Sequence, residues 1–351
     1  MQLDFALCER YLKMPFSHWR KAQKALDFIC DDAVSRMLLE HIQSAFFQEG
    51  NPQVAAQGCK HLMRYINVFA PQFHDAVFSA VFASSLAALL RRLTLICDDS
   101  EIVADTLADY KIWACEYEEE TGKEGIGSAD WMSILFSQKI FRIGRLQYEC
   151  AVFQAPFYVF RMRETGDCRL VSEVEMKISE TRTGSNILDS TKTLLYHPVD
   201  DKAATISHGY QGLNLNEAEL LLAPGLPVLN VHIPKIGPLK KDLVDASLRK
   251  ATRFFSEKDF PAQLAVCESW LLDPAILEYA HGSKNICAFQ QRFRKFPLSG
   301  GISDAVSRVC GKKYVGAPAE MLPIETGLQR GLRQHLMEGK PVANTGGFLL
   351  L

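Results

Sequence analysis

The chain has 351 residues, of which 48% are hydrophobic and 23% are charged. This mixture is usual for globular proteins and excludes a fibrous or disordered chain, and the length allows two domains that each bury a core. The net charge of −2 hides an asymmetry, because residues 1–120 hold 11 Lys and Arg against 17 Asp and Glu, and the remainder holds 28 against 24. This imbalance is too small to indicate nucleic acid, but it favours an anionic small ligand in the second part.

Ten cysteines are scattered along the chain without a C-x-x-C pair. This pattern is typical of reduced thiols, so we expect a cytoplasmic protein. Three charged residues lie within the first ten positions, which argues against a signal peptide. The longest apolar run, residues 76–90, is broken by serines and followed by Arg91 and Arg92. We therefore predict a buried helix there, and no membrane partner.

The first third of the chain has the apolar pattern of helices. From residue 1 to about 122, apolar residues recur at intervals of three and four. Acidic residues, glycine or proline interrupt this pattern at four places, which we interpret as helix ends and caps: residues 31–32, 50–52, 70–71 and 98–100. One more helix is predicted to start near Ser128. The sequence thus predicts a helical N-terminal domain over residues 1–137.

After residue 137 the apolar period changes to alternation, which is typical of strands. Residues 141–153 alternate, and residues 157–176 alternate on both sides of a turn at residues 164–167, which predicts a hairpin. Further alternation surrounds residues 193–196 and 203–206. We expect these strands to be antiparallel.

From residue 228 onwards, strands and helices take turns. The pattern predicts strands at residues 228–233 and 263–271 and helices at residues 240–255 and 286–293. This order indicates parallel pairing with a helical crossover. The predicted fold class is therefore α+β: the helical N-terminal domain is followed by a mixed β-sheet domain with flanking helices over residues 138–351, ending in a helix near residues 327–337 and the apolar segment GGFLLL.

The stretch NVHIPKIGPLKK joins the first of these strands to its helix. Leu229, Val231 and Ile233 point to one face of the strand, and Asn230 and His232 point to the other. Pro234 cannot donate a backbone hydrogen bond, so the strand is expected to splay from its neighbour there. Two lysines open the helix, whose first N–H groups lack helical partners. Such a helix start suits a phosphate or pyrophosphate group.

This order of elements resembles the acyl-CoA half of the GNAT superfamily of N-acyltransferases. The segments NVHIPKIGPL, ESWLLDP, SKNICAFQQRF and GGFLLL resemble, over essentially the whole chain, a bacterial family of acyltransferase-domain proteins. Members have a helical N-acyltransferase N-terminal domain and a GNAT-like C-terminal domain. The resemblance implies a GNAT-like fold for residues 138–351 and an acyltransferase activity.

The resemblance implies acyl-CoA or CoA as the co-substrate, bound at the same junction. We expect seven residues to contact it: Ile233, Lys235, Ile236, Gly237, Leu239, Lys240 and Asn285. Asn285 is proposed only because of the resemblance to the superfamily, whereas the other six residues lie at the junction between the strand and its helix. Two features depart from the superfamily. Only Gly237 represents its glycine-rich loop, and residues 285–293 contain no tyrosine that could serve as the general acid.

His232 is the candidate catalytic base, because an acyl transfer to an amine needs a group that removes a proton from nitrogen. If the register of the two parallel strands places Glu268 beside it, the carboxylate would orient the imidazole and raise its basicity. In the alternative interpretation, His232 is a half-buried core histidine and Glu268 a solvated strand end. A thiol nucleophile at Cys267 is another alternative, although its apolar segment is more typical of a core cysteine.

The sequence thus predicts an acyl-CoA-dependent N-acyltransferase that acylates a small-molecule amine by direct attack on the thioester. An acyl carrier protein is an alternative donor, because it carries the same phosphopantetheine arm. The competing interpretation is a catalytically inactive GNAT-like module for ligand binding or regulation. No metal is expected, since the nine histidines form neither H-x-x-x-H nor H-E-x-x-H, and no nucleic-acid partner is expected.

Overall fold

A computed structural model describes residues 1–183, 186–258, 260, 262–280 and 283–351, and the side chains of all these except residues 173, 175–183 and 186–191. The chain divides into two compact units, which we treat separately. The helical unit comprises Met1–Glu149 with Ile233–Ile236. The sheet unit comprises Cys150–His232 with Gly237–Leu351. The two domains predicted over residues 1–137 and 138–351 remain a prediction.

Eight α-helices build most of the helical unit. They are α1 Phe5–Leu12, α2 Phe16–Asp31, α3 Ala33–Ser44, α4 Pro52–Phe69, α5 Val77–Ile96, α6 Ser100–Leu107, α7 Asp109–Thr121 and α8 Ala129–Phe136. Three of the four predicted breaks coincide with side-chain caps, since Asp32, Asn51 and Asp99 accept backbone N–H groups at the starts of α3, α4 and α6. A helix-rich first part is therefore confirmed.

The longest of these helices is α5, which has 20 residues, eleven of them buried in the helical unit. Together with the turn before it, the segment Pro71–Ile96 is long and apolar enough to cross a membrane by length and composition. However, 61% of its most apolar window is buried inside the protein. A helix surrounded by other helices in this way is the arrangement expected of a core helix.

The helical unit ends in a hairpin of two strands, β1 Ile140–Ile143 and β2 Leu146–Val152. The last three residues of β2 belong to the sheet unit. The sequence showed one alternating stretch here, because a two-residue turn keeps the alternation in phase. Gly144 lies in the left-handed region with φ 64°, which allows this tight turn. The backbone N–H of Arg142 donates to Thr106 Oγ1 at 2.9 Å and so ties β1 to α6.

The described residues of the sheet unit form ten further strands and five α-helices. The strands are β3 Phe157–Met162, β4 Cys168–Thr183, β5 Asn186–Asp200, β6 Thr205–Ile206, β7 Gln211–Asn214, β8 Ala218–Leu222, β9 Pro227–His232, β10 Leu264–Ser269, β11 Arg294–Gly301 and β12 Ala343–Leu350. The helices are α9 Lys241–Ser256, α10 Ile276–Tyr279, α11 Lys284–Gln290, α12 Ile302–Cys310 and α13 Gly327–Met337. The predicted α+β fold class is confirmed.

The strands of this unit belong to two sheets. One sheet has the order β6-β5-β4-β3-β8, with β7 beside β5, and its pairs are antiparallel. The other contains β9, β10, β12 and β11 side by side in that order. Within it, β9 and β10 are parallel and connected through α9, whereas β12 runs antiparallel to both of its neighbours. The hairpin between β3 and β4 and the parallel β9-α9-β10 unit agree with the sequence prediction.

Apolar side chains from both sheets form one core in the sheet unit. The cluster includes Phe157 and Leu222 from the antiparallel sheet, and Val228, Val266 and Phe348 from the mixed sheet. Because strand residues alternate between faces, Asn230, His232 and Glu268 lie on the same face as Val228 and Val266. The polar residues follow the core residues along the carboxyl ends of β9 and β10.

Candidate functional site

The strands β9 and β10 pair over only part of their length. Within the described residues, their ladder consists of two aligned pairs: Leu229 with Ala265, and Asn230 with Val266. Two positions further along, the same register aligns His232 with Glu268. Pro234 follows shortly after and cannot donate a backbone hydrogen bond. The ladder between these strands therefore ends where the polar side chains of His232 and Glu268 begin.

His232 and Glu268 are electrostatically coupled in this arrangement. His232 is half-buried and Glu268 is exposed at the end of β10. Partial desolvation by the surrounding protein raises the pKa of the Glu268 carboxyl group, and the nearby His232 acts in the opposite direction. Loss of the carboxylate charge would remove the favourable interaction with a protonated imidazole. The register and this electrostatic interaction place the two side chains near each other, and their roles as a base and its orienting carboxylate stay a prediction.

An aromatic ring accounts for part of the apolar surroundings of Glu268. The residue paired with Glu268 on β12 is Gly346. A Cβ atom on Gly346 would lie 2.0 Å from Cε2 of Phe296, so the glycine leaves the space in which this ring lies. Phe296 also packs against Phe157 with ring centroids 4.8 Å apart. Gly346 therefore allows an apolar wall directly beside the polar pair.

The first turn of α9 offers backbone donors to an anion. Lys240 occupies the N-cap position, and no side chain caps this end of the helix. Gly237 has φ 119°, which favours glycine, and a Cβ atom there would meet nothing within 4 Å. Leu239, which lies between Gly237 and Lys240, is buried and anchors this segment. A helix of 16 residues carries a partial positive charge at such an end, which attracts phosphate groups.

One ion pair ties the start of α9 to the residues that follow α11. Arg292 donates to Asp245 at 2.6 Å and to the Lys241 carbonyl oxygen at 3.2 Å. Within α9, Lys241 contacts the same carboxylate at 2.9 Å. The hydrogen bonds from Lys241 and Arg292 hold the pKa of Asp245 below its usual range. Asn285 lies on the first turn of α11, and sequence reasoning overlooked Arg292, whose role depends on a partner 47 residues away.

The predicted cofactor residues do not all belong to one unit. The structure assigns Ile233, Lys235 and Ile236 to the helical unit, whereas Gly237, Leu239, Lys240 and Asn285 belong to the sheet unit. Lys235 contacts Glu119 at 3.2 Å. Their roles in binding stay predictions.

The structure does not favour Cys267 as a nucleophile. Its side chain is 1% exposed, and burial, with a smaller effect of Glu268, raises the pKa of the thiol to about 12. A thiolate is the reactive form, so this cysteine stays protonated at neutral pH. Among the described residues, no group of three or more His, Cys, Asp or Glu side chains has a metal-binding arrangement.

Comparison with known proteins supplies a family for this geometry. The profile of the family described as GNAT-like C-terminal domain matches residues 140–349. This range contains the mixed sheet, α9 and α11. No curated protein matches the chain significantly.

Solved structures of acyltransferases share the fold. A variant acyltransferase in complex with octanoyl-CoA superposes with a TM-score of 0.67 at 19% identity, covering 100% of this chain and 90% of that one. An acyltransferase in complex with decanoyl-CoA and teicoplanin gives a TM-score of 0.54 at 21% identity, covering 78% of this chain and 66% of that one, slightly under two thirds. A complex with CoA and 10C-teicoplanin gives 0.56 at 18% identity, covering 86% and 78% of the two chains.

Proposed function

Because this chain belongs to the family with a GNAT-like C-terminal domain, we propose that it is an acyl-CoA-dependent N-acyltransferase. The observation that carries the proposal is the end of the β9–β10 ladder, where His232 and Glu268 follow on one face. The structural likeness to acyltransferases crystallised with octanoyl-CoA or decanoyl-CoA supports an acyl-CoA donor.

The start of α9 is the place we propose for the phosphate groups of the donor. Its backbone N–H groups have no side-chain cap, and Lys240 adds a positive charge. A pyrophosphate would accept hydrogen bonds from these donors and interact favourably with the helix dipole. An acyl carrier protein remains the alternative donor, because its phosphopantetheine arm presents the same thioester.

The proposed reaction is direct attack of an amine on the thioester. The lone pair of the unprotonated amine forms a bond to the carbonyl carbon, and His232 takes the proton from nitrogen directly or through one water molecule. Glu268 stabilises the imidazolium that forms. The carbon–sulphur bond then breaks, the acyl group remains on nitrogen as an amide, and the departing CoA thiolate takes up a proton.

We propose a small-molecule amine as the acceptor. Two of the similar acyltransferases were crystallised with teicoplanin or 10C-teicoplanin, which supports testing small-molecule acceptors first.

Thermal unfolding with CoA, acetyl-CoA, octanoyl-CoA and decanoyl-CoA tests donor binding, because a ligand that binds the folded state raises Tm. Thiol release over a panel of amines then tests turnover, with reactions lacking amine as controls for hydrolysis. We expect stabilisation by at least one acyl-CoA and amine-dependent thiol release. Stabilisation without release for any amine would favour the inactive binding module, and no response to CoA or any acyl-CoA would contradict the proposal.

A further inference from the structure

The helical unit contains a groove that the proposed chemistry does not use. It has a volume of about 380 Å³ and runs along one face of α7. The end of α1, the strand β1 and the segment Ile233–Ile236 complete its walls. The volume is within the range of small-molecule sites.

The walls of this groove are positively charged. Four cationic side chains line it, Lys13, Lys111, Arg142 and Lys235, against two carboxylates, Glu116 and Glu119, which leaves a net charge of +2. Lys235 contacts Glu119 at 3.2 Å, but both side chains are about two-thirds exposed, and pairs of this kind contribute little to stability. Lys235 can therefore turn toward an incoming anion at small cost.

Arg142 provides an independent indication of a ligand. Its Nε atom is buried, and among the described residues no acceptor lies within hydrogen-bonding distance of it. The carboxylate of the nearby Asp109 already accepts the indole N–H groups of Trp113 and Trp131. The unmade hydrogen bond leaves the charge of this guanidinium, which lines the groove, incompletely compensated, so an anion in the groove would interact favourably with it.

The surroundings of Arg142 add to this excess of positive charge. Burial and the charge of Arg142 lower the pKa of the Arg145 guanidinium. Arg145 donates to the Pro234 carbonyl oxygen at 3.1 Å, within the segment that carries Lys235. An anion bound at Arg142 would reduce the repulsion between the two guanidinium groups.

From these observations we propose that the groove binds a phosphate monoester, held by Arg142 and Lys111 with Lys13 and Lys235 at its edge. A phosphate monoester carries a charge of about −1.5 to −2 at pH 7 and three acceptor oxygens, which matches the net charge and the number of donors. The group is that of a small free phosphate, so this proposal does not depend on the proposed function.

Isothermal titration of the full chain with 3′,5′-ADP and with inorganic phosphate tests the site. The variants are Arg142→Gln and Lys111→Gln, and Lys111 is exposed, so its substitution does not threaten folding. Lys24→Gln is the matched control, because Lys24 is an exposed lysine on α2 that does not line the groove. Loss of one charge-assisted hydrogen bond corresponds to roughly 10- to 100-fold weaker binding.

We expect at least one of the two probes to bind the wild type. The affinity of that probe should be about tenfold lower for both groove variants and the same as in the wild type for the Lys24→Gln variant. Absence of binding by both probes, or equal weakening by the control, would overturn the proposal. Because His232→Ala removes the proposed base but no groove residue, it is expected to bind phosphate normally even if turnover is lost.

Discussion

The two units differ in how accessible their titratable polar side chains are to solvent. In the helical unit, Asp109 and His18 are nearly inaccessible, and each has partners inside the fold: Asp109 accepts from two indoles, and His18 contacts the Tyr110 hydroxyl at 3.0 Å. In the sheet unit, His232 and Glu268 lie at the open end of a strand ladder and retain exposure. Asp109, whose raised pKa is caused mainly by burial among internal partners, has a structural role, whereas the raised pKa of the exposed Glu268 makes it a candidate functional group.

The largest effect that tests this contrast is on turnover. We expect His232→Ala to lower amine-dependent thiol release by about 10²- to 10⁴-fold, the usual contribution of a general base, and Glu268→Gln to lower it by a smaller factor. Thermal unfolding of both variants should stay close to that of the wild type. Full activity in His232→Ala would exclude it as the base.

In the helical unit, we expect substitution of Asp109 to affect stability. Asp109→Ala leaves two indole N–H groups without an acceptor, at about 1–3 kcal/mol each, so we expect a loss of about 4 kcal/mol in the free energy of unfolding. Asp109→Asn keeps an acceptor oxygen and should cost less, since burial already raises the pKa of this carboxyl group. Urea denaturation measures both losses. A loss of unfolding free energy in Asp109→Asn as large as that in Asp109→Ala would show that the acceptor oxygen does not stabilise the fold.

His18 should make the helical unit sensitive to acid. Burial lowers its pKa from 6.5 to about 4. The unfolded chain therefore binds a proton below pH 6.5 that the folded state excludes, and stability falls as the pH decreases from 6.5 to about 4. The loss is about 3 kcal/mol at 1.36 kcal/mol per pH unit. Denaturation curves of wild type and His18→Gln over this range test it, and parallel pH profiles would refute the assignment.

The smallest expected effect concerns the wall beside Glu268. Gly346→Ala places a methyl group against the Phe296 ring, and overpacking of this kind costs about 2 kcal/mol. Gly209→Ala is the matched control, because a Cβ atom there meets nothing within 4 Å. The free energy of unfolding should fall only in the first variant. Equal values for the two would show that Phe296 can move aside.

Much of the fold was predictable because its signals are local. Helix caps such as Asn51 and Asp99, the hairpin turn before β4 and the order β9-α9-β10 depend on residues close together in sequence. The division into two sheets and the insertion of β12 between β10 and β11 are different, because long-range pairing leaves no trace in a periodic pattern. The terminal segment GGFLLL could be identified as a strand, but its neighbours could not.

The candidate site was predictable to a similar extent. Strand period predicts the face of β9 on which His232 lies, whereas the register that aligns His232 with Glu268 was a condition of the prediction and is given by the pairing of β9 with β10. The contact of Lys235 with Glu119 joins residues 116 positions apart, and the role of Gly346 depends on the position of Phe296. Trp113 and Trp131 both donate to Asp109, which their spacing along the chain does not reveal.

The central claim is that a thioester binds where the β9–β10 ladder ends. A crystal structure of the chain with a non-reactive thioether analogue of octanoyl-CoA tests it most directly. We predict that the atom replacing the carbonyl carbon lies near His232 and Glu268. An attacking amine could then lie within about 3.5 Å of both this atom and the base. We expect the phosphates at the first turn of α9. An analogue bound elsewhere, with side chains filling the space beyond the ladder, would contradict the account.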